Sequence, residues 1–379
     1  MTLKKYLCAF VVVCFAFCFL FPHKLSAELS VSAKACVLMD GDTGAVLYSK
    51  NKDTPLAMAS TTKIMTALLC LENERLYEEF TVDEKAIRVE GSSMGLISGD
   101  RVNLKTLAIG MLLLSGNDSA NAAAVFDAGS TQKFVEKMNL RAKEIGMKNT
   151  SFETPSGLDG EKHYSTAYDM SLLASFALKN ENFVEICSKS KMTVTFGKDP
   201  MTRTFYNHNR LLKEVEGCIG LKTGFTKKAG RCLVSAVKRN GRTLVCVTLS
   251  APNDWQDHKR LYNYGFSLYN NKIIDLKIQS GSIPVVNGSE ECVTYRAIES
   301  IEVYVRENEQ IEIKNLVRPF EYAPVFKNRV VGKAQVSVDG AVLECIPLIS
   351  QNSSYALYER EEEKKNLFEK LKEWFFALF

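Results

Sequence analysis

Two hairpin signatures, at 33–50 and 231–250, enclose a long block of helical pattern, and this spacing limits the folds open to the chain. In the first, two apolar stretches flank Asp40-Gly41-Asp42-Thr43-Gly44; in the second, two apolar strands flank Asn240-Gly241. Asp-Gly and Asn-Gly accept the positive φ angles that tight hairpin turns require. Between them, 60–71 reads as a buried helix, 104–127 and 130–146 as two more, and 166–179 as another. A helical stretch at 255–269 closes the unit. Strands at both ends with helices inside predict an α/β arrangement: a largely antiparallel sheet interrupted by an inserted helical subdomain.

The flanking regions have other textures. A folded unit over 28–272 is followed at 273–355 by short alternating runs, among them 301–305, 311–316 and the pair 330–338 and 341–348 about Asp339-Gly340. These predict a small all-β domain with one buried face, carrying no His and no nucleophile–base pair. In the tail, 356–379, Leu367, Phe368, Leu371, Trp374, Phe375, Leu378 and Phe379 recur at helical spacing among lysines. Such an amphipathic helix suits a membrane interface, or else docks on its own protein or a second subunit. At the other end, Lys4 and Lys5 precede an apolar run over 6–21 and the small residues Ser26-Ala27. Residues 1–27 read as an export signal, with a retained membrane anchor as the alternative.

Removing 1–27 takes Lys4, Lys5 and Lys24 from a net charge of +4 and leaves +1, a balance that argues against a nucleic-acid partner. Eight of the 11 cysteines remain, with no CxxC pair and no zinc-ligand spacing. They read as small buried hydrophobes rather than a disulfide framework.

Chemistry is suggested by three short elements. Ser60-Thr61-Thr62-Lys63 opens an apolar helix, and residues three apart on a helix share a face. A lysine so placed can touch the serine hydroxyl; buried, it favours the neutral amine that takes a proton. The Ser60 N–H, at a helix start, can face an oxyanion. Ser49, Ser130 and Ser188 also have a lysine three residues on, without that context, and read as surface residues. Ser115-Gly116-Asn117 joins an apolar stretch to a small-residue helix, offering a hydroxyl for proton relay and an amide for a substrate backbone. Lys222-Thr223-Gly224 precedes the second hairpin; its cation and hydroxyl suit a carboxylate, and its glycine permits close backbone approach. Either of the last two, alone, reads as a turn.

In this order the three elements resemble the low-molecular-mass penicillin-binding proteins, the D-alanyl-D-alanine carboxypeptidases of the penicillin-binding-protein/β-lactamase superfamily. The segments DGDTGAVLYSKN, GSSMGLISGDRV, NTSFETPSGLDGEKHYSTAYDM, LKTGFTKKAGRCLVSA and APVFKNRVVGKAQV carry the resemblance over roughly 30–355. The resemblance implies that Ser60 attacks the bond between two terminal D-alanines of a peptidoglycan stem peptide, with Lys63 as base. It implies that Ser115 shuttles the proton, Asn117 orients the substrate, and Lys222 and Thr223 hold the terminal carboxylate beside Gly224. The N–H groups of Ser60 and Phe225 would form the oxyanion hole. β-Lactams would trap Ser60 as an ester, no metal or cofactor would take part, and the enzyme would work outside the cytoplasmic membrane, in growth or sporulation. His163 reads as a structural loop residue, and His208 and His258 have no motif company. Two rivals stand: a serine β-lactamase, for which Glu153 is the acid in the right region, and a non-catalytic wall-binding scaffold.

Overall fold

The computed structural model describes residues 29–357. The expected export signal at 1–27 and the expected tail helix beyond 357 lie outside the described residues.

Strands β1 (Ala35–Asp40), β2 (Val46–Lys50), β3 (Cys218–Thr226), β4 (Gly230–Arg239) and β5 (Arg242–Leu249) form one sheet in the order β2-β1-β5-β4-β3. Every pairing in it is antiparallel. The two predicted hairpins thus meet through β1 and β5, where Leu38 stands opposite Cys246. Every residue of β1 and β5 is buried, because helices cover both faces of the sheet. Val37, Met39, Val245 and Val247 face the helical subdomain within the main core. On the other face, a β-carbon at Gly265 would lie 2.6 Å from Leu38 and 2.7 Å from Leu244, so glycine lets the last helix approach the strands.

The longer helices are α1 (Lys63–Leu71), α2 (Leu104–Leu114), α3 (Asn117–Ala128), α4 (Thr131–Ile145), α5 (Ala167–Ala177) and α6 (Asp254–Ser267). Side-chain oxygens of Asn103, Ser130 and Thr166 accept the otherwise unpaired N–H groups of Thr106, Lys133 and Asp169 at three of the helix starts. A 3-10 turn, Ala59–Thr62, precedes α1.

One predicted element is corrected. The single helix read over 104–127 is two, broken at Ser115 and Gly116. Ser115 adopts φ +63° and closes α2, and the Asn117 N–H donates to Ser92 O rather than to a carbonyl of α2. The polar run Ser115-Gly116-Asn117-Asp118-Ser119 interrupts the apolar pattern at this break, a turn signal that a single helix over 104–127 passes over. A further hairpin, Lys191–Phe196 with Met201–Tyr206, adds a ribbon that the sequence reading does not contain.

Beyond α6, six strands form a second sheet in the order Ile311–Val317, Val330–Val338, Ala341–Ser350, Cys292–Ala297, Ser280–Val286, Glu321–Tyr322. Asn270–Ile274 pairs separately with Ile301–Val305. Alternate residues such as Ile283, Val285, Val293 and Tyr295 build a core distinct from the first. The all-β architecture predicted for this part of the chain is the one observed.

A buried ion cluster ties the first sheet to the 304–309 segment of the C-terminal part. Arg242 donates to Asp40 Oδ2 (3.4 Å), Glu309 Oε2 (2.5 Å) and Tyr304 O (2.7 Å), while the Tyr269 hydroxyl donates to Asp40 Oδ2 (2.6 Å). Arg306 also donates to Glu309, so two guanidiniums balance two carboxylates.

All eight cysteines among the described residues are free thiols. Cys36, Cys70, Cys187, Cys232 and Cys246 are buried as read, but Cys292 and Cys345 are exposed, on strands whose outward positions face solvent.

Candidate active site

Ser60 lies in the 3-10 turn directly before α1, and Lys63 is the first residue of α1. This one-turn offset brings Lys63 Nζ to 3.0 Å from Ser60 Oγ. Lys63 is fully buried, and two further oxygens hold its amine: Asn117 Oδ1 at 2.6 Å and Ser156 O at 2.5 Å. The orientation of the Asn117 amide is fixed because its Nδ2 donates to Glu90 O at 2.6 Å, an atom that can only accept.

These contacts fix where the lone pair of a neutral Lys63 amine would lie. Asn117 Oδ1 and Ser156 O can only accept, so they take two N–H bonds of Lys63. A neutral amine has two such bonds and one lone pair, and the lone pair is then left for the Ser60 hydroxyl. Burial, reinforced by the Lys222 charge and opposed by Asp118, pushes Lys63 well below the ordinary lysine pKa. The neutral form is thus the one this cavity favours.

The break between α2 and α3 brings the second element into the same place. Ser115, at 6% exposure, closes α2, and its hydroxyl has no hydrogen-bond partner among the described residues. Asn117 opens α3 and reaches Lys63. The next residue, Asp118, is a site residue that the sequence reading missed. Its carboxylate accepts from the N–H groups of Met94 (2.9 Å), Gly95 (3.1 Å) and Leu96 (3.0 Å) and from Ser93 Oγ (2.6 Å). Buried and charge-assisted, these bonds fold the 92–97 loop against the start of α3.

Lys222, Thr223 and Gly224 lie on β3, the sheet edge beside the nucleophile turn. A β-carbon on Gly224 would sit 3.0 Å from Met58 O and 3.1 Å from the backbone nitrogens of Ser60 and Thr61. Glycine is therefore what lets the strand touch the turn. Lys222 is buried, donates to Thr223 O at 2.9 Å, and is lowered by burial to about 7. Phe225 is 66% exposed at the mouth of the site.

The 153–163 loop forms the opposite wall. Pro155 O accepts the Thr66 hydroxyl (2.6 Å), and Ser156 O holds Lys63. Asp159 accepts the Thr226 hydroxyl (2.9 Å) and Gly160 O accepts Lys228 Nζ (2.7 Å), tying the loop to the end of β3. His163 is buried, as a structural residue would be, and bonds Thr62 beside the nucleophile. No sequence motif marks Ser156 or Asp118 because each acts through a backbone contact made only on folding.

The structure thus brings Ser60, Lys63, Asn117 and the 222–224 strand to one place, with Ser115 at the helix junction and Phe225 at the rim. His258 lies apart, bonded to Ser235 and Thr248 on the other face of the sheet. Among the described residues, no group of three His, Cys, Asp or Glu side chains is placed to hold a metal ion. Away from this site, an open groove of about 790 Å³ lies in the C-terminal sheet, lined by Leu316, Val330, Pro347 and neighbours.

Comparison with known proteins accords with this geometry. The family model for D-alanyl-D-alanine carboxypeptidase matches residues 23–253, and that for the C-terminal domain of penicillin-binding protein 5 matches 270–355. The chain is 33% identical over 345 residues to D-alanyl-D-alanine carboxypeptidase DacF of Bacillus subtilis, covering 86% of this chain and 87% of that one. It is 34% identical over 360 residues to DacC of Escherichia coli, covering 88% of each chain. The D-alanyl-D-alanine carboxypeptidase DacD structure from Francisella tularensis superposes with a TM-score of 0.61 at 26% identity, covering 87% of this chain and 95% of that one. The DD-transpeptidase of Streptomyces K15 gives 0.59 at 34% identity, covering 63% and 98%. The chain belongs to the D-alanyl-D-alanine carboxypeptidase family.

Proposed function

We propose that this protein is a serine-type D-Ala-D-Ala carboxypeptidase, removing the terminal D-alanine from peptidoglycan stem pentapeptides through an acyl-enzyme at Ser60. The observation that carries this reading is the buried amine of Lys63, 3.0 Å from Ser60 Oγ and held on its other sides by Asn117 Oδ1 and Ser156 O. In this account the Lys63 lone pair takes the Ser60 proton as Oγ attacks the carbonyl of the penultimate D-alanine. The N–H groups of Ser60 and Phe225 receive the oxyanion. Ser115 passes the proton to the departing D-alanine nitrogen, and water then cleaves the ester. Lys222 and Thr223 hold the terminal carboxylate, whose charge favours the protonated form of Lys222 on binding. Asn117, already bonded to Lys63, orients the substrate amide from the opposite side.

β-Lactams follow the same path as far as the ester and remain attached. The rival β-lactamase reading needs a glutamate that positions a deacylating water. The Glu153 carboxylate instead accepts the Lys162 N–H at 2.8 Å and closes its own loop. The scaffold reading has no use for a buried amine beside a serine.

The division of labour we assign is 28–272 for catalysis and 273–355 as a β-rich module. The protein is assigned to the outer face of the cytoplasmic membrane, with 1–27 as export signal and 356–379 as an interfacial helix. Support for both terminal roles comes from sequence pattern; no helix among the described residues is long and apolar enough to cross a membrane. The test of function is release of D-alanine from a pentapeptide ending in D-Ala-D-Ala. Release by the wild type, abolished in Ser60→Ala, is the expected result. Rapid penicillin turnover without an accumulating adduct would favour the β-lactamase, and release undiminished in Ser60→Ala would remove Ser60 from the mechanism.

A further inference from the structure

His163 is one of the few buried polar side chains at the site that the chemistry above does not use, and its bonds have a direction. The imidazole is 3% exposed. Its Nδ1 accepts the Glu153 N–H at 2.9 Å, so in the neutral ring the proton sits on Nε2. Nε2 lies 2.8 Å from Thr62 Oγ1, and the Thr62 hydroxyl hydrogen is committed to Ala59 O at 2.8 Å. Nε2–H therefore donates to Thr62, and Thr62 donates to Ala59.

The line of bonds ends at a strained point of the backbone. Ala59, directly before the nucleophile, has φ +49°, a left-handed conformation that residues with a β-carbon seldom adopt. Its carbonyl is also crowded by the loop: a β-carbon at Gly157 would lie 2.1 Å from Ala59 O. Ala59 sets where the Ser60 N–H and hydroxyl point, and Thr62 lies between Ser60 and Lys63.

We propose that His163 is a positioning residue for acylation: through Thr62 it holds the Ala59 carbonyl and so aims Ser60 at the substrate. It touches neither substrate nor Ser60. The inference rests on the acyl-enzyme reading, and it assigns this loop a second task besides supplying Ser156 O to Lys63.

Three substitutions separate positioning from bulk. His163→Phe keeps an aromatic ring and removes both bonds. His163→Gln retains one acceptor and one donor. Thr62→Val removes the hydroxyl at the far end while preserving volume. The readout is the rate of labelling by a fluorescent penicillin, resolved into non-covalent affinity and the acylation step. The acylation step is expected to fall roughly tenfold to a hundredfold in His163→Phe and in Thr62→Val, since misplacing a reacting group by a fraction of an ångström to an ångström has that effect. Non-covalent affinity should change less than threefold, His163→Gln should recover most of the rate, and the double variant should be no slower than the worse single variant.

A wild-type acylation rate in either His163→Phe or Thr62→Val overturns the proposal while leaving the acyl-enzyme reading intact. So does a loss that appears wholly in affinity, or equal loss in His163→Gln and His163→Phe. Should His163→Phe fail to fold, Thr62→Val and His163→Gln still decide. Absence of label on Ser60 in the wild type overturns the acyl-enzyme reading and this inference with it.

Discussion

The two sheets of this protein bury different things. Around the first, Lys63, Lys222, Asn117, Asp118 and His163 are all at or below 4% exposure, each desolvated and most held by several hydrogen bonds. In the second, Leu276, Ile283, Val293, Val336 and Leu348 make an apolar core with few polar side chains inside it. The second sheet also carries an open groove of about 790 Å³. The groove is lined by apolar side chains such as Leu316, Val330 and Pro347 and by solvent-facing polar ones such as Lys333 and Cys345, with no buried amine among them. Burying a polar group without partners costs several kcal/mol. Where a chain buries and partners many of them, function is the economical explanation.

This contrast can be broken in order of effect. Lys63→Ala should lower acylation by about 10²–10⁴-fold, the usual reach of a positioned base, as measured by penicillin labelling. Gly224→Val, which puts a side chain against the Met58 carbonyl and the Ser60 and Thr61 nitrogens, should lower it about 10–100-fold by displacing β3 from the turn. Leu348→Ala, in the second core, should cost about 2–5 kcal/mol of stability in denaturant unfolding and leave acylation near wild type. Comparable activity loss there would mean that the two regions are not separable.

The pH dependence sharpens the same point. Lys63 must be neutral to act, so kcat/KM should fall on the acid side as it is protonated. Lys222 must be charged to hold a carboxylate, and burial lowers it to about 7 in the free enzyme. The alkaline limb of kcat/KM should therefore move upward in Lys222→Arg, whose guanidinium stays charged. An unmoved limb would assign it to another group. The smallest effect concerns His258, buried between Ser235 and Thr248 and lowered by burial from 6.5 to about 3. Between those values the unfolded state holds more protons, so stability falls as pH drops through 6.5. The slope is at most about 1.4 kcal/mol per pH unit. His258→Gln should flatten the fall in Tm over that range.

What the sequence made legible follows the same physics. Ser60 and Lys63 are readable because a one-turn offset on an apolar helix has a single geometric meaning. Gly224 is readable because it borders a strand beside a cation. Ser156 and Asp118 are not, because a backbone carbonyl carries no side-chain signature and a carboxylate capping a distant loop has no local pattern. The helix break at Ser115 is legible in the polar run Ser115-Gly116-Asn117-Asp118-Ser119, a turn signal that the surrounding helical pattern outweighs. The ribbon at 191–206 alternates in KMTVTF and MTRTFY and could have been found by its period of two. His163 was legible only as structural; its link to Thr62 spans 101 residues.

The central claim is that a buried neutral amine makes one particular hydroxyl nucleophilic. Mass spectrometry of a proteolytic digest after penicillin labelling tests it most directly. The account expects the penicilloyl mass on the peptide containing 60–63, bound to Ser60 and absent after Ser60→Ala. Label on another serine, or label that persists in Ser60→Ala, would contradict it.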